Sequence, residues 1–595
     1  MAAPTHIINE LVLEVNTTSL KTAFYLKDNA EVLLKEHIYP QLELWFNSLG
    51  NNTDEQIIRF KNLKIETHID NVESFEDIGI NVLKKIQDQL IIDGASYNGN
   101  HAAINPSKDS ISETGNIEIE RTTYQQSEAD AVLYFIKNGR LPWWHPVNSF
   151  FTAAQLLTSI SRNGFPKQFK NLLSEKNQRL RVIHQFDDIS IAQMVGSMNT
   201  SADKLKKKEF KALSFLFQND RLRTSFWQST FDYLERKGEE RLFSVLYQII
   251  VEIAQVTSSN IRPEYKIERT ALKKIALFLN FVNTLLAVGF YLKKDSSKTT
   301  TSSYSLQIAL TQNRNSAKTK NAAVLKSIAS SEKKEIRLNL RTKGDTASSI
   351  SKMESKRPSD SKMLDASENK TSIQSEAVSN NSDIAQSLIS DEVTDQISSD
   401  TTPNEITNLI KEAYVDLNPN TENHDSSVLV EEGIIFPNAG LILLHPFLQR
   451  FFENLNLLDN NVIKPTKLEE AMHILHYLVC KKEQPYEHEL LFEKFICNVP
   501  LKHPVKRDIQ LTDGQKESCE VLLTSALNHW EGLKTNSVDA LRSEFLMREG
   551  KLLATDEHYK LFVQRKTQDI LLETLPWNLS ITKIPWKKKM ILIDW

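Results

Sequence analysis

Glycine is scarce in this chain, 16 among 595 residues, and none of it stands in G-x-G-x-x-G or G-x-x-x-x-G-K-[ST] spacing. A phosphate-cradling loop needs glycine where backbone N–H groups close on the anion, so no nucleotide-binding loop is legible. The G-x-S-x-G nucleophile elbow and the H-E-x-x-H zinc helix are also absent. Cysteine is scarcer still. Cys480, Cys497 and Cys519 lack C-x-x-C spacing and cannot build a disulfide framework. They suit a reducing compartment, where a free thiol packs as a small hydrophobe. A net charge of −4 gives no whole-protein electrostatic footprint for nucleic acid. Met1 to Asn16 carries Glu10 and Glu14 and has neither the basic start nor the unbroken apolar run of a secretory signal. Long helical heptads are missing as well.

What is present is ordinary material for a folded protein, 40% hydrophobic and 25% charged. The length predicts about two to four domains. The sharpest boundary is compositional, because no Phe and no Trp occurs between Phe290 and Phe436, where Ser, Thr, Lys, Asp and Asn dominate. Such chain cannot bury enough apolar surface to offset its ordering entropy, which predicts a disordered linker over 293–432. Its charge is segregated. Lys318, Lys326, Lys333 and Arg337 fall in the first half, and Asp383, Asp391, Glu392 and Asp400 in the second. Ile406, Leu409, Ile410 and Tyr414 allow one short helix near Glu405 to Leu417.

The other segments read as an α+β protein, predominantly helical. Residues 1–125 are expected to form an N-terminal β-α-β unit. Its first strand is read in the alternation through Ile8, Val12 and Val15, and its helical run, from Ser19 to Leu49, is interrupted by Pro40. A second strand is expected from Ile58 to Ile69, and a flexible loop over Gly94 to Thr123. Residues 126–292 read as a helical domain, with helices at Ala153 to Ile160, Leu213 to Phe217 and Leu242 to Ala254. Ile275 to Leu292 holds no charge and reads as a buried helix in preference to a membrane span, because Asn280, Asn283 and Thr284 are costly in hydrocarbon. Residues 433–595 read as a C-terminal α+β domain. It carries helices at Phe447 to Leu455 and Leu468 to Val479, a third capped at Asn536 or Ser537 and ended by Gly550, a hairpin about Thr555-Asp556-Glu557, and two closing strands.

Two blocks carry distinctive motifs. The first holds Gly139-Arg140-Leu141-Pro142-Trp143-Trp144, a helix stop followed by a rigid corner with two large aromatics expected to be buried. The second, from Ile434 to Trp595, is denser. It reads Asn438-Ala439-Gly440-Leu441, then His445-Pro446-Phe447-Leu448, Arg542-Ser543-Glu544-Phe545-Leu546-Met547-Arg548-Glu549-Gly550, Leu575-Pro576-Trp577 and Ile584-Pro585-Trp586. These blocks resemble the tape-measure protein family of extracellular, phage-tail-like contractile injection systems. The resemblance implies a non-enzymatic assembly protein that sets tube and sheath length and engages the baseplate. The implied partners are baseplate or hub and inner-tube proteins, with no nucleic acid, membrane or small-molecule substrate. It further implies action in the cytoplasm during assembly, with retention inside the particle as a further expectation. A baseplate adaptor or chaperone without ruler function shares every motif, and a membrane-anchored component is a third reading.

Candidate chemistry is thin. Glu469, Glu470, His473, His476 and Cys480 share or border one helical face, and His488 stands within Glu487-His488-Glu489, so a metal site can be drawn there. Helices routinely carry His near Glu without metal, and no catalytic, cofactor or metal residue is assigned. Cys480 or Cys497 as a nucleophile would need an oriented His and an electropositive pocket. Trp577, Trp586 and Trp595 read as core and edge packing in preference to a carbohydrate platform.

Overall fold

The computed structural model describes residues 7–8, 11–49, 56–60, 66, 75–92, 119–145, 150–161, 164–198, 213, 219–256, 269–295, 303–309, 336–338, 433–534 and 537–595. It is α+β and mostly helical. The chain divides into two compact units, one of residues 1–133 with 141–162 and the other of 134–140 with 163–595.

In the first unit the expected opening strand does not form. Residues 11–17 have no regular structure, and Val12, Leu13 and Val15 are exposed. Alternation marks a strand only where a partner strand covers one face. The chain becomes helical at Leu20–Asp28, capped by the Ser19 side chain, which accepts the Thr22 backbone N–H. The run passes through a π-helical turn, Leu33–Ile38, before Tyr39–Leu49. Pro40, with no N–H to give, sits just after that distortion. The strand pairing that does form is Gln56–Phe60 antiparallel to Ile119–Thr123. The second of these occupies the end of the expected loop, whose residues 94–118 lie outside the described ones. Leu26, Leu33, Ile38, Leu42, Trp45, Ile78 and Ile86 make one buried core cluster of this unit.

The corner after Gly139 is only half as expected. Pro142 and His145 are buried, but Trp143 is exposed and Trp144 is partly so, with the Arg59 guanidinium 3.7 Å above its ring. Cation–π stacking explains a Trp that covers a charge without entering the core.

In the second unit, helices Phe165–Leu172, Lys176–Gln185, Asp188–Ser197, Asp220–Leu234, Glu239–Val256 and Arg269–Leu286 precede a strand, Gly289–Asp295. The uncharged run from Ile275 is therefore a helix and the start of a strand. Ala287, at φ +54°, breaks it, and Asn283 holds the break by bonding both the N–H and the C=O of Phe290. Ile275, Phe278, Phe281, Val282 and Leu285 are buried. Among the described residues no helix is long and apolar enough to cross a membrane. Gly289–Asp295 pairs with Ser303–Ala309, which pairs with Ile336–Leu338. Two strands thus stand inside the segment expected to be disordered, because the alternation Tyr304, Leu306, Ile308 was hidden in its average composition. The rest of that segment, including the short helix expected near Glu405, lies outside the described residues, as does most of 213–217.

From Gly433 onward a five-stranded sheet runs in the order Ile581–Thr582, Met590–Asp594, His558–Val563, Gly550–Ala554, Ile434–Phe436. Every pairing is antiparallel except His558–Val563 with Met590–Asp594. Helices His445–Asn454, Leu468–Cys480, Leu491–Ile496 and Asp513–His529 pack with it around one large core. Ser537 caps Val538–Leu541 as expected. Gly550 does not end that helix, which passes into a π turn to Leu546; the glycine instead opens a strand, where a Cβ would collide with Ala439.

Candidate functional site

The second unit contains a buried cluster of charge. Arg181, on helix Lys176–Gln185, Glu487, on the 3-10 turn Glu487–Leu490, and Lys494, on Leu491–Ile496, are each buried to within about one percent. Arg181 grips the Glu487 carboxylate with both arms of its fork, Nε to Oε2 at 2.8 Å and an Nη to Oε1 at 3.1 Å. Lys494 Nζ donates to the same Oε1 at 2.7 Å. One carboxylate thus faces two cations. The remaining N–H donors are taken by backbone carbonyls. Arg181 donates to Ile136 O at 2.7 Å and to Lys502 O, and Lys494 to Leu501 O at 3.0 Å and His503 O at 2.7 Å. Gln185 completes the set, accepting the Glu487 N–H and donating to Val505 O, both at 2.8 Å. Desolvated charge is tolerable only when every lone pair and proton finds a partner, and carbonyl dipoles here offset the excess cation.

The first motif block is explained by this node. Helix Tyr124–Asn138 ends at Gly139, whose N–H reaches Phe135 O at 2.8 Å. Its φ is +73°, and a Cβ there would overlap Glu487 Oε1 and stand 2.9 Å from an Arg181 Nη. Glycine is required twice, for the left-handed turn and for the room.

Beside this node lies a second buried group, in the region where a metal site could be drawn but none was assigned. His476 Nδ1–H donates to Glu493 Oε1 at 3.0 Å, and Asn438 Nδ2 donates to the same oxygen at 2.8 Å. The Cys480 thiol points to Asn438 Oδ1 at 3.4 Å. His473 Nε2 donates to Lys506 O at 2.8 Å, while Glu469 accepts the Lys506 N–H at 2.9 Å. Glu470 is taken up by Lys467 and Gln515. His488 packs edge-on to Phe135. The structure therefore spreads the candidate ligands over separate hydrogen bonds, and among the described residues no group of three or more His, Cys, Asp or Glu side chains could hold a metal. Burial pushes the His473 imidazole down to about 4. Burial, with the Glu493 and Glu489 charges, pushes the Cys480 thiol up to about 12, and Cys497 is raised further for the same first reason. Thiols so held are protonated and inert near neutrality.

The dense C-terminal motifs prove to be internal fastenings. Arg548, fully buried, joins Asp569 at 2.8 Å and donates to Gln564 O at 3.0 Å and Glu544 O at 2.6 Å. Buried Arg542 reaches Leu478 O at 3.1 Å and Glu520 at 2.6 Å. Trp586 is 7% exposed, donates to Ile496 O at 2.7 Å and stacks on Phe452. Trp577 donates to Leu443 O at 3.1 Å. Trp595 is partly buried against the same core.

A family model described as contractile injection system tape measure protein matches residues 5–595. The chain belongs to that family. Neither the curated proteins nor the solved structures compared with it gave a match. The family match runs through the helices and the segment between the two motif blocks, where no motif could be quoted. For this tape measure family member, the node of Arg181, Glu487 and Lys494 was not anticipated from sequence. Its trace there is the charged pair Glu493-Lys494 inside the apolar run Leu490 to Ile496, since adjacent opposite charges amid core residues mark buried ionic partners.

Proposed function

We propose that this protein sets tube and sheath length during assembly of a contractile injection system particle and engages its baseplate, without catalysing a reaction. The observation that carries the reading is the family match over 5–595. The use of every candidate nucleophile and metal ligand in internal hydrogen bonding or core packing agrees with it. On this reading its partners are baseplate or hub and inner-tube proteins, it assembles in the cytoplasm, and it recognises neither nucleic acid nor membrane. Along the sequence, the proposed working segments are an N-terminal unit over 1–125, a helical segment over 126–292, a linker over 293–432 and a C-terminal α+β block over 433–595.

The adaptor reading without ruler function is favoured by one observation. The longest described helices, Phe75–Ile92, Glu239–Val256 and Arg269–Leu286, have 18 residues, and at about 1.5 Å per residue each is only about 27 Å long. One experiment separates the two. Shortening the chain within 339–432 should give particles of a new, shorter and uniform length in electron micrographs if the protein measures, and an unchanged length if it only adapts.

A further inference from the structure

The two flanks of segment 339–432 are built into the same unit. Upstream, Phe290 is bonded twice by Asn283 and packs on Phe243 at 5.4 Å, while Phe278 packs on Phe226. Downstream, Ile434–Phe436 is the edge strand beside Gly550–Ala554, and Phe436 stacks on Phe492 at 4.7 Å. Between them the node joins Arg181 to Glu487 across 306 positions of sequence. Gln185 adds two bonds to the later segment, and Lys506 pairs with Asp220 at 3.5 Å.

We infer that the helices before the segment and the α+β block after it form one folding unit locked by the Arg181–Glu487–Lys494 node, so the segment leaves and returns to a single body. A chain held at both ends offers its length doubled. Stretched from one free end, 339–432 would span on the order of 300 Å, but as a loop it reaches only about 150 Å. Any use of its full length requires the node to open first. This goes beyond the tape-measure reading and does not rest on it, because it concerns the isolated chain.

The test uses the full-length protein with a site-specific protease sequence placed between Asp360 and Ser361. After complete cleavage, the two fragments should co-elute on gel filtration at micromolar concentration. They should still do so in molar salt, since buried charges are little screened. Separation of the fragments would overturn the inference, whatever the particle experiment shows. In the cleaved protein, Glu487→Gln should weaken fragment association by at least about 100-fold. Lys506→Met, which removes a half-exposed pair, should weaken it by less than about 5-fold. Co-elution with equal effects of the two substitutions would overturn the node as the lock.

Discussion

Replacing Glu487 by Gln keeps the shape of the node and removes its only anion. Arg181 and Lys494 both bond Glu487 Oε1, at 3.1 and 2.7 Å, so the two cations lie within about 6 Å of each other. At that separation and an effective dielectric near 20, their repulsion is about 3 kcal/mol. Breaking a buried ion pair by deleting one partner costs about 3–5 kcal/mol in general, and the doubled cation places this substitution at the upper end. The carbonyls of Ile136, Leu501, Lys502 and His503 remain to solvate the cations, which keeps the loss from being larger. The assay is urea unfolding of the full chain, following the midpoint at fixed slope. The diagnostic variant is the double one. Lys494→Met added to Glu487→Gln removes one of two unpaired cations, so the pair should be more stable than the sum of the single losses predicts, by about 1–3 kcal/mol. A Glu487→Gln protein within about 1 kcal/mol of the parent, or a double variant that is merely additive, would refute the reasoning.

Gly139→Ala should destabilise by about 2 kcal/mol or more, from the left-handed backbone and from the push on Glu487; a neutral result in thermal melts would show that the turn relaxes freely. Trp586→Ala should cost about 3–5 kcal/mol and lower solubility, because it empties a stacked, hydrogen-bonded core site; an unchanged melting temperature would count against that placement. Acidification should weaken the fold through histidine. His473 is pushed down to about 4 by burial, and His503 to about 3 by burial with Lys494, Arg181 and Lys176 nearby. Once unfolded both would titrate near 6.5, so their stabilising effect is complete above about pH 6.5 and is lost as pH falls, by up to about 1.4 kcal/mol per unit for each. Glu469, whose carboxyl burial raises, works the other way as it gains its proton in the fold. Unfolding midpoints measured from about pH 7 to pH 4 should therefore decline, and a flat profile would contradict the assignment of neutral buried imidazoles.

The parts of this protein that sequence made legible are those whose pattern is local. Helix Ala153–Ile160 begins and ends where its apolar spacing places it, with Thr152 found as its cap, and the hairpin about Thr555 to Glu557 is set by a polar turn between two apolar strands. Ile8 to Val15 misled because alternation is necessary for a half-buried strand but does not supply a neighbour. The run from Ile275 misled differently. Hydropathy cannot distinguish a helix that continues from one that breaks and returns as a strand, and the break depends on Asn283 meeting Phe290. The node was hidden for the same kind of reason. Arg181 reads as a surface residue in its own helix, and its role exists only where Glu487 is brought to it by the fold.

The 306 positions between Arg181 and Glu487 also set a timetable. At ribosomal rates of about 5–20 residues per second, helix Lys176–Gln185 waits roughly 15–60 s for the carboxylate that completes its buried face. During that interval Arg181, buried in the finished protein, has no carboxylate to pair with. In that window the helix carries an unpaired charge on a face that is buried in the finished protein, so a holdase acting during synthesis should raise yield.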